Sequence, residues 1–199
     1  MASPQHSPST IVQPSPCKEG NKTPMAASSN SGSSLEYFEE HGFFCQAMAA
    51  IGGLIENSYT EGRAKEVEFD LFEDSLRSNE SLKELLDSYP ETLPFKHLWG
   101  TVPKHYYSWD NPPTKITHVM LIYLLGPTSE FSCRDGSHNR NFKIEQVNDD
   151  RTLHLPDELL EPWKPLKFVM PEGGVLCVHP VLGHRTEIGR SILFGRIRK

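Results

Sequence analysis

Long apolar runs are scarce in this 199-residue chain, and none of them follows a basic N-terminal start. A secretory signal or a membrane span needs such a run, so the sequence predicts neither. We therefore expect a cytoplasmic protein that has no membrane partner.

The chain also lacks closely paired cysteines and an excess of basic residues. Its four cysteines, Cys17, Cys45, Cys133 and Cys177, lie far apart, so a disulfide framework or a zinc site has little support. The formal net charge is −6, with both signs spread along the chain. Because proteins that grip nucleic-acid phosphates usually carry a basic patch, no nucleic-acid partner is expected.

Large apolar residues are nearly absent from residues 1–34, which are rich in Ser, Pro and Asn. Such a segment cannot bury enough surface to offset its conformational entropy, and we expect it to be disordered. The remaining residues, 35–199, suffice for a single domain with one core.

Two helix starts are visible in the first half of this domain. Ser33 and Glu36 have the spacing of a capping box, and Gly42 is expected to interrupt the helix that follows. Asn79 is a second N-cap residue, and apolar residues recur after it at i, i+3, i+4 and i+7 until Pro90 ends the helix.

Helical patterns thus occupy residues 35–98, whereas short β-prone runs separated by turn residues fill residues 99–199. The predicted strands are Ile116–Leu125, Phe142–Val147, Leu166–Met170, Val175–Val178 and Ile192–Ile197. Helices followed by strands favour an α+β fold, with the helices on one face of an antiparallel sheet or small barrel. Residues 126–141 and 148–165 are expected to be long loops at the mouth of such a barrel, where specificity usually lies.

The C-terminal segment, residues 171–199, has the most informative pattern. A Gly-Gly turn precedes an apolar strand, a second turn leads to His184, and Arg190 precedes the last strand. This layout is similar to that of non-haem iron oxygenases, in which an imidazole at a strand end binds Fe(II) and an arginine binds a dicarboxylate co-substrate.

Four segments together resemble the phytanoyl-CoA dioxygenase-like proteins, in the same order along the chain. They are Tyr37–Phe43 with its His-Gly-Phe sequence, Asn79–Gly100, His118–His138 with its Gly-Ser-His turn, and Gly173–His184. The resemblance covers roughly residues 35–199. It implies a double-stranded β-helix, a jelly-roll or cupin-like barrel. It also implies Fe(II) and 2-oxoglutarate as cofactors, with hydroxylation or desaturation of an unactivated C–H bond.

By the same resemblance, His184 takes the position of the distal iron ligand and Arg190 that of the residue that binds the 2-oxoglutarate carboxylate. Arg196, on the last strand, is a second candidate for the carboxylate.

The proximal iron ligands of the family are a His-x-Asp/Glu pair. His105 falls where the family has the histidine, but Tyr107 stands where the acid is expected. Asp110 could supply the carboxylate if residues 106–109 bulged; its other interpretation is a turn residue in Asp-Asn-Pro-Pro.

Three functions are compatible with these patterns. The first is an Fe(II)/2-oxoglutarate-dependent oxygenase for a small apolar metabolite, as in secondary metabolism, with His105, Asp110 and His184 on iron. The second is a catalytically inactive barrel that binds or scaffolds after losing the carboxylate ligand. The third is a cupin-like protein that holds another metal without 2-oxoglutarate. The substrate and the oligomeric state are not determined by the sequence.

Overall fold

The computed structural model of the chain describes residues 18–19, 32–60, 63–64, 67–99, 105–109, 118–139 and 152–198. The helices in these ranges are α1 (Ser34–His41), α2 (Ala49–Ser58), α3 (Asp70–Arg77), α4 (Glu80–Ser88) and α5 (Asp157–Leu160). The strands are β1 (Lys18–Glu19), β2 (Phe43–Ala47), β3 (Tyr59–Thr60), β4 (Arg63–Ala64), β5 (Glu91–Trp99), β6 (Tyr106–Trp109), β7 (Val119–Leu125), β8 (Ser129–Arg134), β9 (Thr152–Leu155), β10 (Pro165–Met170), β11 (Gly174–Val178), β12 (His184–Ile188) and β13 (Ser191–Ile197).

Two antiparallel sheets form the barrel. One has six strands in the order β1-β10-β8-β12-β6-β9, and the other has five in the order β2-β11-β7-β13-β5. Consecutive strands such as β7 and β8, or β12 and β13, lie in different sheets, so the chain winds back and forth across the barrel. The expected α+β fold, a jelly-roll barrel with helices on one face, is confirmed. No helix in the described ranges is long and apolar enough to cross a membrane.

The two predicted helix starts are also confirmed. The Ser33 hydroxyl accepts a hydrogen bond from the Glu36 backbone N–H, and the Glu36 carboxylate accepts one from the Ser33 backbone N–H. The Asn79 side chain accepts from the Leu82 N–H at the start of α4. Both caps pair N–H groups that the first turn of a helix leaves without partners.

The strands of the five-stranded sheet are apolar on both faces because each face is covered. On β7, the side chains of Met120, Ile122 and Leu124 pack against helices α1 to α4. Those of Leu121, Tyr123 and Leu125 point into the barrel and meet the six-stranded sheet. An apolar run without alternation is the expected pattern for such a strand.

Helix α2 reaches the sheet through Gly52. A β-carbon on Gly52 would collide with the backbone carbonyl of Glu172, in the turn before β11. The adjacent Gly53 is exposed and has open space around its α-carbon. The close approach of backbones therefore requires glycine at the first position and not at the second.

Several expectations about the β-rich half need correction. The residues expected to form a loop at 126–141 include β8, and those at 148–165 include β9 and α5. Two strands of the five-stranded sheet, β2 and all but the last residue of β5, lie within residues 35–98, the segment predicted to be helical. Phe142–Val147 lies outside the described residues, as do residues 1–34 apart from 18–19 and 32–34.

Candidate functional site

His184, the sequence candidate for the distal iron ligand, opens β12 and is completely buried in the barrel. Its Nδ1 lies 2.7 Å from the Leu182 carbonyl oxygen, and its Nε2 lies 2.9 Å from the Tyr123 hydroxyl. A carbonyl oxygen only accepts, so Nδ1 carries the proton. Burial lowers the pKa of His184 to about 4, although the bond to Leu182 favours the charged form. The neutral ring therefore accepts from Tyr123 at Nε2.

This assignment gives a directed chain of hydrogen bonds. The Trp109 indole N–H donates to the Tyr123 hydroxyl oxygen at 3.0 Å, Tyr123 donates to His184, and His184 donates to Leu182. Burial raises the pKa of Tyr123 well above its ordinary value, so the phenol remains a donor. The Trp109 indole N–H, the Tyr123 hydroxyl and both ring nitrogens of His184 thus all have protein partners. Buried polar groups are stable in a barrel interior when they are satisfied in this way.

Aromatic rings enclose the imidazole. The Phe131 ring is stacked on it at a centroid distance of 5.6 Å, and the Tyr107 ring lies 4.4 Å away. Tyr107 is the cross-strand partner of His184 in the β6–β12 pair, and its hydroxyl is 3.1 Å from the Thr186 hydroxyl. The position of the missing acid is therefore filled by a phenol that hydrogen-bonds within the protein.

The two predicted iron ligands that the structure describes, His184 and His105, do not lie together. His184 is in the barrel interior, whereas His105 is exposed at the start of β6 and its ring contacts His154. Asp110 immediately follows β6 and lies outside the described residues. Within those residues, no group of three or more His, Cys, Asp or Glu side chains is arranged to hold a metal ion.

The two predicted co-substrate arginines lie elsewhere. Arg190 is exposed in the turn between β12 and β13, where its guanidinium covers the Tyr59 ring and lies 3.7 Å from the Glu56 carboxylate. Its expected role at a co-substrate inside the barrel is not supported, because its side chain is outside.

Arg196 is buried, but on the face of β13 that packs against the helices. It shares this face with Ile192 and Phe194, which lie four and two residues earlier. Its guanidinium donates to the carbonyls of Tyr89 and Pro90, both at 2.8 Å, and to the Thr92 hydroxyl at 2.6 Å. Arg196 therefore fixes the chain where α4 leads into β5, which corrects its expected role as a ligand of 2-oxoglutarate.

Charged residues of the six-stranded sheet also face away from the barrel. Arg185 and Glu187 alternate with the inward-facing His184 and Thr186 on β12. The Glu187 carboxylate binds Arg185 at 3.0 Å and Lys167 at 2.8 Å, on the outer surface.

Fe(II) and 2-oxoglutarate do not fit the described interior. The Nε2 lone pair that iron would use already accepts from Tyr123. Among the described residues no aspartate or glutamate is buried, and the buried Arg196 lies on the helix-facing side of β13. The 2-His-1-carboxylate site of non-haem iron oxygenases needs three protein ligands and open positions beside them. Of the two predicted ligands that the structure describes, His184 stands in the interior and His105 is exposed.

Comparison with solved structures agrees with the topology of the barrel. SnoK, a non-heme alpha ketoglutarate dependent carbocyclase from nogalamycin biosynthesis, superposes with a TM-score of 0.52 at 13% identity, over 83% of this chain and 83% of SnoK. Iron-bound HygX from Streptomyces hygroscopicus gives 0.50 at 12% identity, over 83% of this chain and 86% of HygX. The chain has the fold of these two proteins.

No protein-family model matches the chain, and no curated protein sequence matches it. Membership of the phytanoyl-CoA dioxygenase-like family therefore stays a prediction. The shared barrel does not imply that the iron ligands or the co-substrate-binding residues are also shared, because one fold can host many functions and the residues of the site decide among them.

The residues that close the interior were not identified from the sequence as a set. Tyr107 and Trp109 are close together in the sequence, but Tyr123 lies within an apolar run and 61 residues from His184. A tyrosine in the middle of a strand buried on both faces was the available signal, because a buried hydroxyl needs a partner.

Proposed function

We propose that this chain is a non-catalytic binding or scaffolding barrel, in which a protein hydrogen-bond network takes the place of a metal centre. The observation that carries the proposal is the state of His184. Both its ring nitrogens are bonded to protein atoms, one to Leu182 and one to Tyr123.

The neighbouring contacts support the same function. A ring that binds iron must present an open lone pair, whereas Nε2 of His184 faces a phenol held in turn by Trp109. Releasing this nitrogen would take away the acceptor of the Tyr123 O–H while its oxygen still accepts from Trp109, and losing the partner of a buried donor costs about 1–3 kcal/mol. The network is thus stable on its own and opposes metal binding.

The second candidate is the Fe(II)/2-oxoglutarate-dependent oxygenase that hydroxylates or desaturates a small apolar metabolite. It is favoured by the barrel shared with SnoK and iron-bound HygX. Asp110 would provide its carboxylate, and His105 would have to leave His154 to join His184. Bound iron would activate O2 for attack on a C–H bond.

Anaerobic spectroscopy separates the two candidates. Fe(II) and then 2-oxoglutarate are added to the purified protein, and the weak visible charge-transfer band of the iron chelate is recorded beside an oxygenase of known activity. We expect no band from this protein. A band that appears in the wild type and disappears in both His184→Ala and Asp110→Asn would establish the oxygenase instead.

A second measurement covers the case in which the His184→Ala variant fails to fold. Tyr123→Phe removes the phenol that occupies Nε2 while keeping the ring. If the network opposes iron, this variant binds Fe(II) no more weakly than the wild type. Loss of Fe(II) binding in Tyr123→Phe would show that Tyr123 supports a metal site, against the proposal.

A further inference from the structure

Two arginines and a tyrosine converge on the outer face of the six-stranded sheet. Tyr106 faces outward because its neighbour Tyr107 points into the barrel. Arg185 follows the residue of β12 that pairs with Tyr107, so it lies beside Tyr106 on the same face. Arg134 ends β8, the other neighbour of β12, and its guanidinium carbon lies 4.8 Å from the centroid of the Tyr106 ring. The guanidinium carbon of Arg185 lies 4.6 Å from the same centroid, so two cations meet over one aromatic ring.

The guanidinium of Arg134 has no carboxylate partner in the described part of the chain. Its one hydrogen bond there runs from Nη1 to the Trp163 carbonyl oxygen, at a long 3.3 Å. Its Nε–H is buried and has no acceptor. Native proteins rarely leave a buried donor without a partner, so this donor indicates an acceptor that does not come from the protein.

The charges on this part of the sheet do not balance. Arg185 donates to one oxygen of Glu187 from Nε at 3.1 Å and from Nη2 at 3.0 Å. Lys167 binds the same carboxylate at 2.8 Å and that of Glu130 at 2.7 Å. Arg134, Arg185 and Lys167 thus share two carboxylates, which leaves one positive charge over. A ligand with one negative charge would complete the balance.

An oxyanion is the ligand that such donors bind. One edge of a guanidinium carries two parallel N–H groups, which can bind two oxygens of a carboxylate or a phosphate together. The edge of Arg134 that carries Nε has no protein acceptor. Because Nε is covered, the side chain has to turn outward as the anion binds, which gives up the long bond to Trp163.

Tyr106 adds a third donor. Burial raises the pKa of Tyr106, although both arginines oppose the rise, so the phenol keeps its proton at neutral pH. Its O–H can therefore donate to an oxygen held by the two guanidinium groups.

We propose that Arg134, Arg185 and Tyr106 form a surface site for a singly charged oxyanion, the carboxylate or phosphate group of a small molecule. Arg134 provides the edge that binds two oxygens, Arg185 adds positive charge, and the phenol is a further donor. The site lies on the face of the sheet opposite to His184, so it does not depend on the function proposed for the barrel interior.

NMR titration of the full chain tests the proposal, with sodium phosphate and sodium acetate added separately at constant ionic strength. Either anion should shift the Arg134 Nε–H signal and the backbone amide signals of β8 and β12 in a saturable way, and the tighter of the two identifies the preferred group. Arg134→Met should weaken binding about tenfold, and Tyr106→Phe about threefold. Glu187→Gln removes the carboxylate that competes for Arg185, so it should tighten binding about threefold.

Arg190→Met is the matched control. Arg190 also covers a tyrosine ring, that of Tyr59 at 5.3 Å, but the Glu56 carboxylate lies 3.7 Å from it. This variant should bind both anions as the wild type does.

Three results would overturn the proposal. The first is no saturable shift with either anion. The second is equal weakening in Arg134→Met and Arg190→Met, which would indicate an adventitious ion only. The third is weaker binding in Glu187→Gln. Circular dichroism confirms that each variant is folded, and the tighter binding expected of Glu187→Gln cannot result from unfolding.

Discussion

Removing the Tyr123 hydroxyl should destabilise the protein more than the loss of a single oxygen atom suggests. The side chain is completely buried, and its oxygen links the Trp109 indole to His184. Tyr123→Phe leaves the Trp109 N–H without its acceptor and the His184 Nε2 without its donor. At about 1–3 kcal/mol for each unsatisfied buried group, the free energy of unfolding should fall by about 3 kcal/mol.

Urea unfolding, followed by circular dichroism, measures this change. The equivalent thermal shift is roughly 6–12 °C for a domain of this size. Tyr37→Phe is the control because the Tyr37 side chain is 43% exposed, and its effect should stay within about 0.5 kcal/mol. A loss below about 1 kcal/mol in Tyr123→Phe would refute the reasoning, since it would mean that the two partners are satisfied without the phenol.

Three further predictions concern the packing and charge of the domain. Gly52→Ala should lower the free energy of unfolding by about 2 kcal/mol or more in urea unfolding, because its β-carbon meets backbone, whereas Gly53→Ala should raise it by about 0.5–1 kcal/mol. Equal effects of the two would contradict the packing of α2. Arg196→Met should lower the free energy of unfolding by about 2–4 kcal/mol in the same assay, since three acceptors lose their donor. Arg190→Met should change it little, because Arg190 is exposed. A larger loss in Arg190→Met than in Arg196→Met would contradict these placements. Burial lowers the pKa of His184 in the native protein to about 4, whereas the ordinary value is 6.5. As the pH falls from 6.5 to 4, the imidazole is therefore protonated in the unfolded chain but not in the native protein. This residue alone should lower the free energy of unfolding by about 3 kcal/mol over that range. Stability that stays constant across this range would show that the native ring takes up the proton.

Local patterns predicted the starts of α1 and α4 because capping is a matter of a few adjacent residues, whereas α3 and α5 were not predicted. Ser33 with Glu36, and Asn79, have chemistry that acts within one turn of the chain. Strand β12 is missing from the predicted strands because its sequence, His-Arg-Thr-Glu-Ile, is mostly polar and glycines flank it. Its charged residues, Arg185 and Glu187, face outward, and its inward residues are a histidine and a threonine.

The site was harder to predict because its contacts are long-range. Arg196 was correctly placed on a strand, but both faces of β13 are buried, so alternation does not reveal which face meets the helices. The role of His184 depends on Tyr123, on a different strand of the opposite sheet. A local motif that resembles a metal ligand cannot show whether its lone pair is already used.

The protonation state of the His184 ring is the most direct measure of the central claim. Nitrogen-15 NMR of the imidazole nitrogens, recorded from pH 7 to pH 5 and with Zn²⁺ as a diamagnetic substitute for Fe(II), reports both proton and metal at each nitrogen. The network predicts a neutral ring that is protonated at Nδ1 throughout, with an Nε2 signal that does not move when metal is added. Protonation of Nε2 near pH 6.5, or a shift of its signal with Zn²⁺, would contradict the account.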